Sequence, residues 1–333
     1  MAQQNHAPIS DDEMIPIRKS EFTSGAPFPA NVYLRIKLNN YVLVARAGDL
    51  ANLEQLHVAN DDSIEYLYVK KEEYKNCVGQ NLVIAGILIN NKEVSGEKKA
   101  HFISKAMDGV FTEIEELGMG HEAIEHAKVV ATSVRTLVQS KPDLFSVVEM
   151  MSSIPGDVIR HSMAVGAISV MIGHKMKWTL SATMEKLVIG ALLHDVGLRE
   201  LPHEILEKPR HEMTLDERQL YETHPFRGGE ILRSMPSITD DITAIVYEHH
   251  ENAIGQGYPR RLRDIRMNPL AKVVALANTF VDISIKGPNN PNPRTPEQAL
   301  TFIEVTMGQP YNKKAFIALR DLVNERKASA HAA

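Results

Sequence analysis

The chain of 333 residues has a single cysteine, Cys77. That excludes an intrachain disulfide and any metal site built on a thiolate cluster, and it is compatible with a reducing cytoplasm. Long apolar runs are also missing. The most apolar window, Leu82–Ile89 (LVIAGILI), is far shorter than the ~20 residues a bilayer-spanning helix needs. The opening MAQQNHAPISDDEMIPIRKSEF lacks the apolar centre of a signal peptide. Neither sign of charge dominates, with 37 basic and 42 acidic side chains, which argues against binding a nucleic-acid polymer. These absences point to a cytoplasmic protein with no membrane contact of its own. What is present, 44% hydrophobic and 24% charged residues, is enough for one large globular domain or two ordinary ones.

The texture changes along the chain. Residues 1–28 read as a polar, flexible lead. NVYLRIKL and YVLVARAG flank Asn39-Asn40 as the two arms of a hairpin. Leu50–Ala59 fits a short helix, Ile64–Val69 (IEYLYV) another strand, and KKEEYKNC begins a helix. Residues 29–95 therefore read as a small α/β module for interaction or sensing. From about Glu97 the apolar positions follow helical periodicity without strand runs. Pro142 and Pro155 punctuate the helical pattern, which divides into connecting helices over 96–145 and a larger all-α domain over 146–326. Lys286–Gln298 is a Pro/Asn-rich loop, and 327–333 reads as a disordered tail. The fold class is mainly α, an all-α metal-binding domain preceded by a small α/β domain.

Histidine carries the chemical signal. Of 14 histidines, five in the helical half stand beside a carboxylate, another histidine or a glycine break: His161, His194, His224, His249 and His250. Asp157 and His161 are spaced i, i+4, which puts both on one helix face, able to reach one metal. GALLHDVG ends an apolar helix in His194-Asp195, where a buried carboxylate needs a cation or hydrogen bonds. ETHPFRGG carries His224, and EHHE carries the adjacent pair. The donor set has no sulfur, which suits iron, manganese, zinc or nickel rather than magnesium alone. An aspartate can bridge two metals, and two-metal sites hydrolyse phosphate esters. His57, His101, His121, His126 and His174 read as ordinary surface or core residues.

With these motifs in place, residues from about 150 to 325 resemble the HD-GYP branch of the HD phosphohydrolase superfamily. The segments GDVIRHSMAVG, GALLHDVGLRELPHEILEKP, MTLDERQLYETHPFRGGEIL, EHHENAIGQGYPRRL, PLAKVVALANTF and PEQALTFIEVTMGQPYNKKAF stand in family order. The N-terminal module also looks like the small α/β domain often found ahead of HD-GYP domains. The resemblance implies an all-α domain with two divalent transition metals, iron or manganese, that hydrolyses cyclic di-GMP or a related nucleotide. It implies one metal on His161, His194 and Asp195, and a second on the bridging Asp195 with His224, His249 and His250. Asp157 stands where some members place a ligand to a third metal. Gly257, Tyr258 and Pro259 would shape the substrate mouth and a surface for a signalling partner; a homodimer is a further expectation.

The chain departs from the family pattern on the substrate side. Leu198 stands where the family has lysine, with Arg199 beside it. Asn278 stands where the family has a ligand aspartate, and Ile254 where the Gly-Tyr-Pro motif has its aspartate. Gly287–Asn290 replaces an arginine-bearing loop, leaving Lys286 and Arg294 as candidate substrate cations. Lys272 stands for an arginine, keeping the charge but losing the planar fork. Two readings stay open: a slow cyclic di-GMP phosphodiesterase, and a degenerate domain that binds nucleotide or a partner without turnover. Hydrolysis of another phosphate ester is a third.

Overall fold

A computed structural model describes residues 9–22, 25–51, 64–140 and 143–331. The expected helix at Leu50–Ala59 and the break at Pro142 fall largely or wholly outside these residues. The N-terminal part is a four-stranded antiparallel sheet in the order β1-β4-β2-β3, formed by β1 (Met14–Arg18), β2 (Val32–Lys37), β3 (Asn40–Ala45) and β4 (Tyr66–Lys70). The hairpin joins β2 to β3 as expected, but its turn is Leu38-Asn39, one residue earlier. Lys37 pairs with Asn40, and Asn39 takes a positive φ of 56°, a conformation asparagine tolerates better than most residues. Asp11 closes the turn by accepting from the Asn39 backbone N–H and the Tyr41 hydroxyl.

β1 corrects the reading of 1–28 as a flexible lead. Met14, Ile15 and Ile17 are buried, and the strand pairs with β4 from Met14↔Lys70 to Arg18↔Tyr66. Pro16 obscures this strand in the sequence, since proline marks an edge position rather than a central one. An edge strand is where β1 stands.

Among the described residues thirteen α-helices follow. α1 (Lys71–Ile89) packs against β1 and β4 and joins them to α2 (Gly96–Leu117) and α3 (His121–Gln139). Ser95 caps α2 by accepting from the Lys98 N–H, as an N-cap serine does. α4 (Leu144–Ser152) then leads to α5 (Asp157–Lys175), which is the axis of the helical part. From Ser162 to Gly173 every residue of α5 is buried, because helices cover it on several sides: α3, α4, α6 (Ser181–Leu192), α11 (Pro269–Ser284) and α13 (Lys313–His331). A helix apolar all round belongs inside.

α7 (His203–Leu206), α8 (Leu215–Tyr221), α9 (His224–Arg233), α10 (Asp240–Glu248) and α12 (Pro296–Thr301) complete the set. Gly190 lets α6 and α10 meet closely. A Cβ there would lie 2.5 Å from Ile245 Cδ1, too near for any side chain. α13 continues to His331, into the stretch expected to be a disordered tail. NERKASAH contains good helix formers. One apolar core runs from Ile15 of β1 to Val323 of α13, and no helix among the described residues is long and apolar enough to cross a membrane.

Candidate metal centre

Helix ends deliver the five histidines. His161 sits in the second turn of α5, His194 and Asp195 just beyond the C-terminus of α6, His224 at the first position of α9, and His249-His250 at the C-terminus of α10. Gly197 makes the meeting feasible. A Cβ there would overlap the His224 carbonyl oxygen, so only glycine lets the turn after Asp195 lie against the start of α9.

The side chains then converge in two groups that share Asp195: His161, His194 and Asp195, and Asp195, His224, His249 and His250. Asp195 divides its two oxygens between them. Oδ2 lies 3.2 Å from His194 Nε2 and 3.8 Å from His161 Nε2. Oδ1 lies 3.2 Å from His224 Nε2 and 3.4 Å from His249 Nε2. This is the disposition a carboxylate needs to bridge two cations.

The imidazoles are turned the same way. Nδ1 of His194, His224 and His249 lies 2.7–2.8 Å from the carbonyl oxygen three residues earlier, that of Ala191, Tyr221 and Val246. A carbonyl can only accept, so Nδ1 carries the proton and Nε2 is left as a lone pair. Yet His161 Nε2 faces His194 Nε2 at 3.2 Å, and His224 Nε2 faces His249 Nε2 at 3.1 Å. Two lone pairs aimed at each other repel unless a proton or a cation lies between them. The donor set therefore fits a metal ion in each group, through nitrogen and carboxylate donors that suit first-row transition metals.

Electrostatics divide the centre: burial lowers His249 and His250, whereas at His194 the Asp195 carboxylate outweighs burial and raises the pKa, drawing positive charge to the place a cation would take. Burial works against the Asp195 carboxylate, but the imidazoles around it, His194 first and then His224 and His249, hold its pKa well below the usual range. Burial pushes His249 down to about 4, and burial, followed by His249 and His224, holds His250 well below the usual imidazole range. Both are neutral near pH 7, the form that binds a metal.

His161 is held differently. Its Nδ1 lies 3.5 Å from Asp282 Oδ1 on α11. A carboxylate behind a ligand imidazole fixes the ring and strengthens the donor. Asp282 was not among the residues expected from the sequence. The available signal was its spacing: it stands four residues after Asn278, on the same face of α11. Asn278 itself is 2% exposed, and among the described residues its Oδ1 has no hydrogen-bond partner, an orphaned acceptor that a cation would satisfy.

The remaining expected residues lie around this centre or away from it. Tyr258 stacks on the His250 ring at 4.5 Å between centroids and 26° between planes. Gly257 is required beneath it, because a Cβ would overlap the His250 carbonyl oxygen; Pro259 follows in a cis peptide bond. Asp157 is paired with Arg160 of its own helix and is outside both groups. Lys272 is paired with Asp264 at 3.3 Å. Arg294 lies over Phe302, 4.1 Å from its ring centre. Lys286 is exposed, and its carbonyl accepts from Arg160. Arg199 donates to the Glu115 carbonyl on α2, so it does not take the place of the lysine absent at Leu198. Ile254 is exposed and bridges to Arg263.

The two glutamates of EHHE do not join the histidines. Glu248 accepts from Arg260 Nη2 and the Asn268 N–H, and Glu251 from the Arg260 and Leu262 N–H groups. They brace the loop that carries Tyr258. Arg210, also unanticipated, lies over both Tyr221 and Tyr258.

Comparison with known proteins agrees with this architecture. The chain is 30% identical over 187 residues to a cyclic di-GMP phosphodiesterase of Thermotoga maritima, covering 55% of this chain and 50% of that protein. It is 28% identical over 188 residues to a cyclic di-GMP phosphodiesterase of Pseudomonas aeruginosa, covering 56% and 44%. Similarity extends to a 3'3'-cGAMP-specific phosphodiesterase of Vibrio cholerae, 31% identical over 123 residues, covering 37% and 23%. The matched region thus spans about half the length of the first two relatives. The solved structure of Bd1817, a HDG"Y"P protein from Bdellovibrio bacteriovorus, shares the fold with a TM-score of 0.64 at 20% identity, covering 93% of this chain and 99% of that one. The HD-domain family model matches residues 145–314, and the chain belongs to the HD-domain family, with homology to its HD-GYP cyclic di-GMP phosphodiesterases.

Proposed function

We propose that the protein is a metal-dependent phosphodiesterase of HD-GYP type that hydrolyses a cyclic dinucleotide, with cyclic di-GMP as substrate. The observation that carries this reading is the division of Asp195 between two sets of imidazoles, with Nε2 of His161 and His194 turned to one oxygen and Nε2 of His224 and His249 to the other. His161, His194 and Asp195 would hold one metal; Asp195, His224, His249 and His250 would hold the other. Iron or manganese suits these donors. When bound, such a pair supplies Lewis acidity toward phosphoryl oxygens and a water activated for in-line attack.

The chain's own groups do the rest. The backbone carbonyls behind His194, His224 and His249 keep the imidazoles in the donor tautomer, so no proton must be displaced from Nε2. Asp195 stays ionised and offsets part of the metals' charge. Tyr258, stacked on His250, forms a wall beside the centre, and the braced Gly257–Pro259 loop fixes that wall. The phosphodiesterases among the relatives support a cyclic dinucleotide as substrate.

Leu198 and Asn278 favour a second reading, a binding domain without turnover. Losing one charged transition-state contact typically costs about 10²–10³ in rate, and both positions lack the charge. One experiment separates the readings: anaerobic assay of cyclic di-GMP and 3'3'-cGAMP hydrolysis, with metal content measured on the same sample. About two metals per chain with turnover of cyclic di-GMP is the expected result. Full metal occupancy with no turnover of either nucleotide establishes the binding domain instead.

A further inference from the structure

The substrate of such a centre carries two phosphodiester charges, and most cations near it are already engaged. Arg160 serves Asp157 and the carbonyls of Ile154 and Lys286. Arg199 is turned to α2, and Lys272 is paired with Asp264. Leu198 carries no charge at all. Arg210, in the segment between α7 and α8, is ion-paired with Glu222 only at 3.5 Å and through one of its nitrogens.

Its guanidinium lies 5.3 Å from the ring centre of Tyr221 and 5.7 Å from that of Tyr258. Each of those rings touches a histidine of the centre: Tyr221 meets His224 edge-on at 5.0 Å, and Tyr258 stacks on His250 at 4.5 Å. The guanidinium is thus one aromatic ring away from two ligand imidazoles. The backbone around it is anchored. The Arg210 N–H donates to Asn289 Oδ1 at 2.7 Å, and its carbonyl accepts from Arg218 Nη2 at 3.2 Å. Asn289 belongs to the loop where the family carries arginine, so that loop here secures an arginine supplied from elsewhere.

The donors themselves are underused. Among the described residues the guanidinium makes one hydrogen bond, to Glu222 Oε1 at 3.5 Å, out of the five N–H groups it offers. The side chain remains 36% exposed. A planar cation held by aromatic rings, with its N–H edge open, has the form that grips a phosphate at two points.

We infer that Arg210 binds a phosphodiester group of the cyclic dinucleotide and supplies the charge that Leu198 lacks. The inference rests on the phosphodiesterase reading of the metal centre. Arg210 is a substrate-binding residue, distinct from the histidines and Asp195, and removing it leaves the metals in place.

The test is calorimetric titration of the hydrolysis-resistant bis-phosphorothioate analogue of cyclic di-GMP into the metal-loaded protein and its Arg210→Met and Arg210→Lys variants. Methionine keeps contact with the two rings while removing charge and fork; lysine keeps the charge alone. Metal content is assayed on every sample. A charged hydrogen-bonding contact predicts about 10–100-fold weaker binding for Arg210→Met at unchanged metal content, an intermediate loss for Arg210→Lys, and a shallower salt dependence in the methionine variant. Binding within twofold of the parent overturns the assignment. So does metal lost along with the nucleotide, which would make Arg210 a support of the centre. If the parent protein binds no analogue, both the assignment and the underlying cyclic-dinucleotide reading fall. Parent binding with an indifferent Arg210→Met variant removes only the assignment.

Discussion

At His161 the centre departs from its own rule. The other anchored imidazoles lean on carbonyls three residues back, which any helix end supplies. His161 lies within a helix whose carbonyls are already used, so its Nδ1 needs a partner from another element, and Asp282 provides one. Because α11 has Asn278 where a carboxylate is expected, the charge one turn later restores a negative group to that side of the site. Outer partners of this kind are typically worth 10–100-fold in metal affinity. Asp282→Ala should therefore release the metal on the His161 side at about 10–100-fold lower chelator concentration than the parent, with the other metal retained. Asp282→Asn, which can still accept from Nδ1, should lie between. Elemental analysis after dialysis against graded chelator reads this directly, and identical release curves for all three proteins would show that Asp282 has no part in the site.

At the scale of elements, the loop between α10 and α11 is built by acceptors rather than by its own regular structure. Glu251, 1% exposed, takes two backbone N–H groups, and Glu248 takes a third together with the Arg260 guanidinium. Hydrogen bonds to a buried charge contribute about 1.5–3 kcal/mol each, so Glu251→Ala should loosen the loop while the helices stay folded. Trypsin supplies the measurement, since Arg260, Arg261 and Arg263 lie in this segment. The variant should be cut there at least about tenfold faster than the parent, in line with the loss of one such bond. Equal rates would mean the glutamates do not hold the loop.

The same element shows what could and could not be read in advance. The five histidines and Asp195 were legible because each marks a helix end within a short motif, and the motifs occur in a known order. The glutamates beside them, in the same four letters, were not legible as braces. Their partners lie 9 to 20 residues away, and only the fold of the loop brings them near. Arg210 escaped for the same reason, since tertiary packing alone places it, and Asp282 escaped although its i, i+4 spacing from Asn278 put it on the same face of α11. β1 escaped for a local reason, a proline within five residues of strand.

For the whole molecule, the decisive feature is that the sheet and the helical part share one apolar core. α1 joins β1 and β4 to α2 and α3, and α3 in turn contacts α5 and α6. Elements that bury the same surface should lose it together. The sequence offers a probe at each end. Cys77, on α1, is buried among Val78, Tyr74 and Leu82, and burial, with the Glu21 and Glu73 carboxylates adding to it, pushes its thiol up to about 12. Trp178, the single tryptophan, lies between α5 and α6. At pH 8 the native thiol is both enclosed and protonated, so a disulfide reagent should label it slowly, because thiolate is the reactive form. Pulse labelling across a urea series should expose Cys77 at the same midpoint at which Trp178 fluorescence changes. A labelling midpoint at clearly lower urea would show that the N-terminal sheet and α1 come apart first, with the metal-binding helices standing without them.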